Sequence, residues 1–194
     1  MKARFLITSF LLIAVFGTSQ TVFTSVQNGN WDDGSTWSLS SGLGGTVGVD
    51  YPAATDSVYI EHDVVIDFTN SGSSYIFEGY LNVSAGDKLQ CAIGDANNGF
   101  ILDNGGVFHL YGTFYVATLS DTPASANPTA KELTCRGTSQ FVAFDGAYIF
   151  VADDWAIEEN TDIYVETNVC IRVDDDVNFN NTGWFLCGDG DISI

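Results

Sequence analysis

From Val58 to Ile194 the chain alternates short apolar runs with Gly, Asn or Asp. The runs are Val58-Tyr59-Ile60, Leu81-Asn82-Val83, Phe100-Ile101-Leu102, Phe108-His109-Leu110, Phe114-Tyr115-Val116, Tyr148-Ile149-Phe150-Val151, Ile163-Tyr164-Val165, Cys170-Ile171-Arg172-Val173, Val177-Asn178-Phe179, Trp184-Phe185-Leu186 and Ile192-Ser193-Ile194. Apolar and polar positions alternate with a β period of two, and turn signals such as Ala85-Gly86-Asp87, Asn104-Gly105-Gly106, Asp145-Gly146 and Gly188-Asp189-Gly190 separate the runs. Strands this short cannot bury an apolar face in pairs. The pattern therefore predicts an all-β chain whose strands stack into a solenoid. Helical periodicity is absent, and Asp153 to Glu159 has room for about one turn of helix.

The chain begins Met1-Lys2-Ala3-Arg4, runs through an apolar stretch from Phe5 to Phe16 and reaches small residues at Gly17-Thr18-Ser19. A basic start, a short greasy segment and a small-residue cut site predict a secretory signal peptide over 1–19, too short to span a bilayer. The protein is then secreted, starts near Gln20 and has no membrane insertion after cleavage. Cleavage removes Lys2 and Arg4 and no acid, leaving four basic residues against 25 acidic ones and a net charge of −21. Phosphate recognition needs clustered Lys and Arg, so nucleic acid is excluded as a partner, and an anionic membrane surface is disfavoured.

Residues 20–55 are rich in Gly, Ser, Asn and Trp and read as an irregular N-terminal cap; residues 56–194 carry the stacked strands. Ser120 to Lys131, with Pro123 and Pro128, has no strand pattern and is expected as a loop extruded from one corner. The chain ends on half of a further coil with no terminal cap, so a covering partner chain or a longer parent protein is expected, the latter favoured. Four cysteines on an exported chain permit disulfides. Cys170 and Cys187 lie about one coil apart, which would leave Cys91 with Cys135; the alternative is free cysteines acting as small hydrophobes.

Asn30-Trp31, Thr36-Trp37, Pro52 and Asp56-Ser57-Val58-Tyr59-Ile60 form a pattern that resembles the opening module of large secreted bacterial surface proteins, and is similar to the extracellular domain named for its eight glycines. The resemblance implies a right-handed parallel β-helix belonging to an adhesin-like or architectural protein. Two departures are present: Thr55 stands where the pattern has Gly, and the stretch from Ser38 to Tyr51 is long. Read as residues alone, Trp31 and Trp37 either plug the first rung or stand exposed as binding platforms for sugar rings, and Asp56 accepts backbone N–H groups at the turn into the first strand.

The charged groups offer a narrow choice of chemistry. A lyase for acidic sugars needs a base, commonly Lys or Arg, and a cation for the substrate carboxylate, and only Lys88, Lys131, Arg136 and Arg172 remain. A glycoside hydrolase needs two opposed carboxylates, for which Asp174 to Asp176, Asp153-Asp154 and Glu158-Glu159 are candidates. His62 and His109 are isolated from any nucleophile motif. Calcium fits the acids better, with Asp174, Asp175, Asp176, Asp189 and Asp191 as candidate ligands, although neither the helix-loop-helix spacing nor the nonapeptide repeat is present.

The sequence thus predicts an all-β, single-stranded right-handed parallel β-helix with an irregular cap. Its expected role is non-enzymatic: a secreted structural or adhesive module whose partners are other copies of itself or surface glycans and proteins. Pairing at the open last rung would give a filament. The alternative is a carbohydrate-binding or carbohydrate-active β-helix.

Overall fold

In the computed structural model the described residues are 21–40, 46, 48–68, 73–93, 99–181, 185–187 and 192–193. The expected signal peptide, 1–19, lies outside them. The chain is all-β: one 3-10 turn at Gly34–Thr36 is the sole helical element among the described residues.

The strands are β1 (Val22–Ser25), β2 (Gly29–Asn30), β3 (Trp37–Leu39), β4 (Ser57–Ile60), β5 (Val64–Ile66), β6 (Tyr75–Phe77), β7 (Tyr80–Val83), β8 (Lys88–Cys91), β9 (Phe100–Leu102) and β10 (Val107–Leu110). They continue as β11 (Thr113–Val116), β12 (Leu133–Cys135), β13 (Gln140–Ala143), β14 (Tyr148–Val151), β15 (Trp155–Glu159), β16 (Asp162–Val165), β17 (Cys170–Val173), β18 (Val177–Asn181), β19 (Phe185–Cys187) and β20 (Ile192–Ser193). The single-stranded winding expected from the sequence is replaced by three sheets, in the orders β19-β16-β13-β10-β7-β4-β1-β3, β2-β5-β8-β11-β14-β17-β20 and β18-β15-β12-β9-β6. From β4 onward every strand pairs in parallel with the strand three further along, so three consecutive strands, one per sheet, make a tier. Among the described residues the one antiparallel pair is β1 with β3.

Register repeats without slippage, which puts like positions above one another. Phe23, Val58, Leu81, Phe108, Phe141 and Ile163 form one buried column of the first sheet. In the second sheet Leu89, Phe114, Ile149 and Ile171 do the same, as do Phe100, Leu133 and Trp155 in the third. A one-residue slip would turn a whole column outward, so the alternation fixes the register. Each fully buried Val, Leu, Ile or Phe contributes about 1.5–3 kcal/mol. Rings also meet within the core: Phe108 lies edge-on to Phe114 at 4.8 Å and to Phe141 at 4.9 Å.

Tiers approach closely at the corners. A Cβ on Gly79 would sit 2.0 Å from the Asp56 carbonyl oxygen, so no larger residue fits without displacing the backbone. Side chains also tie tier to tier. Asn104 Nδ2 donates to Glu78 (2.6 Å), Glu159 accepts from Gly137 N–H (3.0 Å) and Asn168 Nδ2 donates to Asp145 (2.7 Å).

Two local expectations are corrected. Trp155–Glu159 is strand β15 and not a helical turn, because alternate residues Trp155 and Ile157 face the core beside Leu133 and Cys135. The segment Ser120 to Lys131 is not extruded. It lies against the outer face of the second sheet, where Phe150 packs with Ala117 and Ala152 and is wholly buried despite pointing outward. Gln90 Nε2 donates to the Thr118 carbonyl (2.8 Å), and Arg172 Nη2 reaches the Ser125 carbonyl (3.3 Å). The Asp121 carboxylate gathers the strap by accepting from Thr129 N–H (2.9 Å) and the Thr118 hydroxyl.

Candidate functional site

The indoles of Trp31 and Trp37 are buried. Trp31 leaves β2 by donating its backbone N–H to Val65, and its ring lies on Tyr75 (5.5 Å) and Phe77 (6.1 Å), the inward residues of the edge strand β6. It takes the place a strand of the third sheet would occupy. Trp31 Nε1–H donates to the Pro52 carbonyl (3.0 Å), Trp37 Nε1–H donates to the Trp31 carbonyl (2.8 Å), and the two rings meet edge to face at 5.2 Å. With both N–H groups spent internally and no ring face outside, neither tryptophan is a platform for sugar. The Asp33 side chain accepts from Ser35 N–H (2.9 Å) to start the turn between the indoles, and Asp56 accepts from Ala53 N–H (2.8 Å) at the entry to β4.

The acidic run divides. Asp174 pairs with Arg172, whose Nε lies 3.0 Å from it. Asp176 contributes its backbone N–H to Asp154 (3.0 Å). Only Asp175 turns to a shared point, with Asp153 and Asp154 of the preceding tier, where one ligand oxygen from each lies within 4.8 Å of the others. Asp189 and Asp191 lie outside the described residues. Burial, then the charges of Asp154, Asp175 and Glu132, raise the Asp153 carboxyl above its ordinary value. Three carboxylates can meet a divalent cation, but calcium takes six to eight oxygens and Asp154 already accepts from Asp176 and from Asn178 Nδ2, so the remaining ligands would be water. The three acids stack on one corner and do not oppose each other across a groove, as a two-carboxylate hydrolase needs.

Cys91 and Cys135 are free and buried, in the second and third sheets respectively. Burial pushes both thiols up to about 12, so they act as small core residues and not as nucleophiles. Cys170 is free and exposed on the second sheet, whereas Cys187 belongs to β19 of the first, so the two do not stack on adjacent tiers of one sheet.

Neither histidine faces a usable nucleophile. His62 Nδ1 lies 3.0 Å from the Ser25 carbonyl, to which it donates, and the buried Ser25 hydroxyl oxygen accepts from Glu61 N–H (2.8 Å). His109 Nδ1 lies 3.1 Å from the Tyr80 hydroxyl on the outer face of the first sheet.

That outer face is the surface the sequence reading missed. Tyr59 packs on Tyr80 (5.6 Å), Tyr80 on His109 (5.3 Å), His109 on Phe144 (5.4 Å), and Phe144 stacks on Tyr111 at 4.0 Å. Tyr164 lies two tiers beyond His109 in the same column. The signal was the middle residue of the triplets: in Val58-Tyr59-Ile60, Phe108-His109-Leu110 and Ile163-Tyr164-Val165 it is the residue that alternation sends outward. No protein-family model matches the chain, and no curated protein or solved structure matches it either.

Proposed function

We propose that the three parallel sheets are the walls of a right-handed parallel β-helix with an N-terminal plug, and that the chain is an exported structural or adhesive surface module without a reaction centre of its own. The observation that carries this reading is the unbroken pairing of each strand with the strand three further on, around columns of buried apolar residues. Such stacking makes a stiff body whose outer faces are free to vary, as a spacer or display element requires. The Trp-containing pattern at 30–60 supports the same reading through its resemblance to secreted surface proteins. Partners would be further copies of the chain, or glycans and proteins at a surface, and assembly of copies would give an extracellular filament.

The test is expression of the full chain in an exporting host. The reading expects a product outside the cell beginning near Gln20 by mass spectrometry, and rods by negative-stain electron microscopy. An uncleaved cytosolic product would overturn export, and a monodisperse monomer on sizing would overturn the filament. The grouping of Asp153, Asp154 and Asp175 favours a second element, a weak calcium site bridging two tiers. It expects a melting temperature that falls on chelation in the native chain but not in Asp175→Asn.

A further inference from the structure

The outer face of the first sheet is rich in aromatic rings and nearly free of charge. Two outward columns run across β1, β4, β7, β10, β13 and β16: Val22, Ser57, Tyr80, Val107, Gln140 and Asp162 in one, and Thr24, Tyr59, Asn82, His109, Val142 and Tyr164 in the other. In a chain with 25 acidic residues, Asp162 is the only acid among these twelve positions, and they hold no Lys or Arg. An anionic partner would find no cation here, and the charge of the whole chain would repel it. A cationic partner would be drawn to the acids at the corners instead. The face therefore suits an uncharged partner.

Its chemistry narrows the partner further. Tyr59, Tyr80 and Tyr164 combine an apolar ring with a hydroxyl, and Thr24, Ser57, Asn82, His109 and Gln140 add donors and acceptors between them, so apolar and hydrogen-bonding groups alternate over the whole face. Tyr59 is 36% exposed and Tyr164 40% exposed, one near each end of the array. Strands recur at a spacing of about 4.8 Å, so from β4 to β16 the face extends about 19 Å as a regular, repeating array. A periodic array of this kind matches a periodic ligand with apolar C–H faces and hydroxyl edges better than it matches the irregular side chains of a protein surface.

We infer that the outer face of the first sheet binds an uncharged linear polysaccharide lying along its two columns, with Tyr59 and Tyr164 as the end contacts. This rests on the surface-module reading and names its partner. The ring belt of Tyr59, Tyr80 and His109 supplies a continuous apolar floor, and the tyrosine hydroxyls and amides fix the position of the chain upon it.

Affinity gel electrophoresis of the full chain tests this against mixed-linkage glucan, mannan, arabinoxylan and dextran, with pull-down on cellulose and chitin, and with polygalacturonate and heparin as charged controls. Retention by at least one uncharged polymer is expected, unchanged by high salt and absent for both controls. Tyr59→Ala with Tyr164→Ala should weaken it about tenfold, equivalent to about 1.4 kcal/mol. Tyr115→Ala on the second sheet should leave it intact. If the double alanine variant lowers the melting temperature markedly, Tyr59→Phe with Tyr164→Phe keeps the rings, and it should retain most of the binding. Lack of retention by every uncharged polymer, retention unaltered in the double variant, or a wild-type dimer that this variant dissociates would each overturn the inference, the last by making a second copy the occupant. An exported rod that retains no polymer removes this inference alone, whereas a polymer-binding chain that stays in the cytosol removes the export reading and leaves this one.

Discussion

Trp31 closes the first tier with a side chain where later tiers use a strand. Its ring covers Tyr75 and Phe77, and its N–H fixes the Pro52 carbonyl, so one residue both seals the core and ties down the cap loop. Trp31→Ala should therefore cost about 3–5 kcal/mol, read as a shift in the denaturant midpoint. Trp31→Phe should recover the ring contacts but not the hydrogen bond, and so fall between. Asp153 behaves oppositely. Burial, Asp154, Asp175 and Glu132 raise its pKa on folding, so the stability it contributes is present below the unfolded value and is lost as pH rises through the folded one. With calcium chelated, so that no ligation contributes, Asp153→Asn should accordingly melt slightly higher than the native chain at neutral pH and show no gain in acid. A variant that melts lower at neutral pH would contradict this account of the acidic corner.

At the level of elements, legibility followed exposure of the two strand faces. The first and second sheets were largely visible in the sequence, because triplets such as Phe114-Tyr115-Val116 place their apolar flanks inward and a single residue out. The third sheet was read in part: Phe100–Leu102 and the run starting at Val177 were visible, whereas Tyr75–Phe77 and Leu133–Cys135 were not picked out and Trp155–Glu159 was masked by the charged pair Glu158-Glu159 at its end. Lys88–Cys91 was missed for a related reason, since Lys88 and Gln90 read as surface residues although the Gln90 amide is consumed by the strap. The strap itself was legible as a break but not in its placement. What holds it down is Phe150, Arg172 and Gln90, which are distant in sequence from the proline-rich segment. Its internal organiser is Asp121: burial would raise its pKa, but hydrogen bonds from Thr118 and Thr129 prevail and hold the carboxyl below its ordinary value. Asp121→Ala should loosen the segment without reaching the core. Limited proteolysis should then cut between 120 and 131 faster than in the native chain, while the main thermal transition stays put. The cap site was half legible: the tryptophans marked it, yet only the burial of both rings separates a plug from a sugar platform.

Over the whole molecule, charge and packing act in opposition. Among the described residues Arg136 pairs with Asp103 at 2.8 Å and Arg172 with Asp174, but six basic residues cannot neutralise 25 acids, so the carboxylates of a −19 chain repel one another on balance. Such repulsion is screened by salt. Sodium chloride should therefore raise the melting temperature steadily, and a salt-independent midpoint would show that the corner hydrogen bonds have already absorbed the repulsion. The site follows the same division of labour: the interior fixes the columns, and alternation then leaves the outer residues of the first sheet free to be chosen for contact and not for stability.

Because each strand from β4 on is bonded only to strands three places before and after it, none of these depends on a distant part of the chain for its pairing. Residues 140–161 run from the start of β13 to just before β16, which makes them a complete repeat of the pairing pattern. A second copy spliced in after Thr161 would lengthen the protein by one storey and extend the tyrosine-bearing wall by one rung. Genes of this design can grow by copying a passage, and the reach of the product is then set by how many times the passage is written.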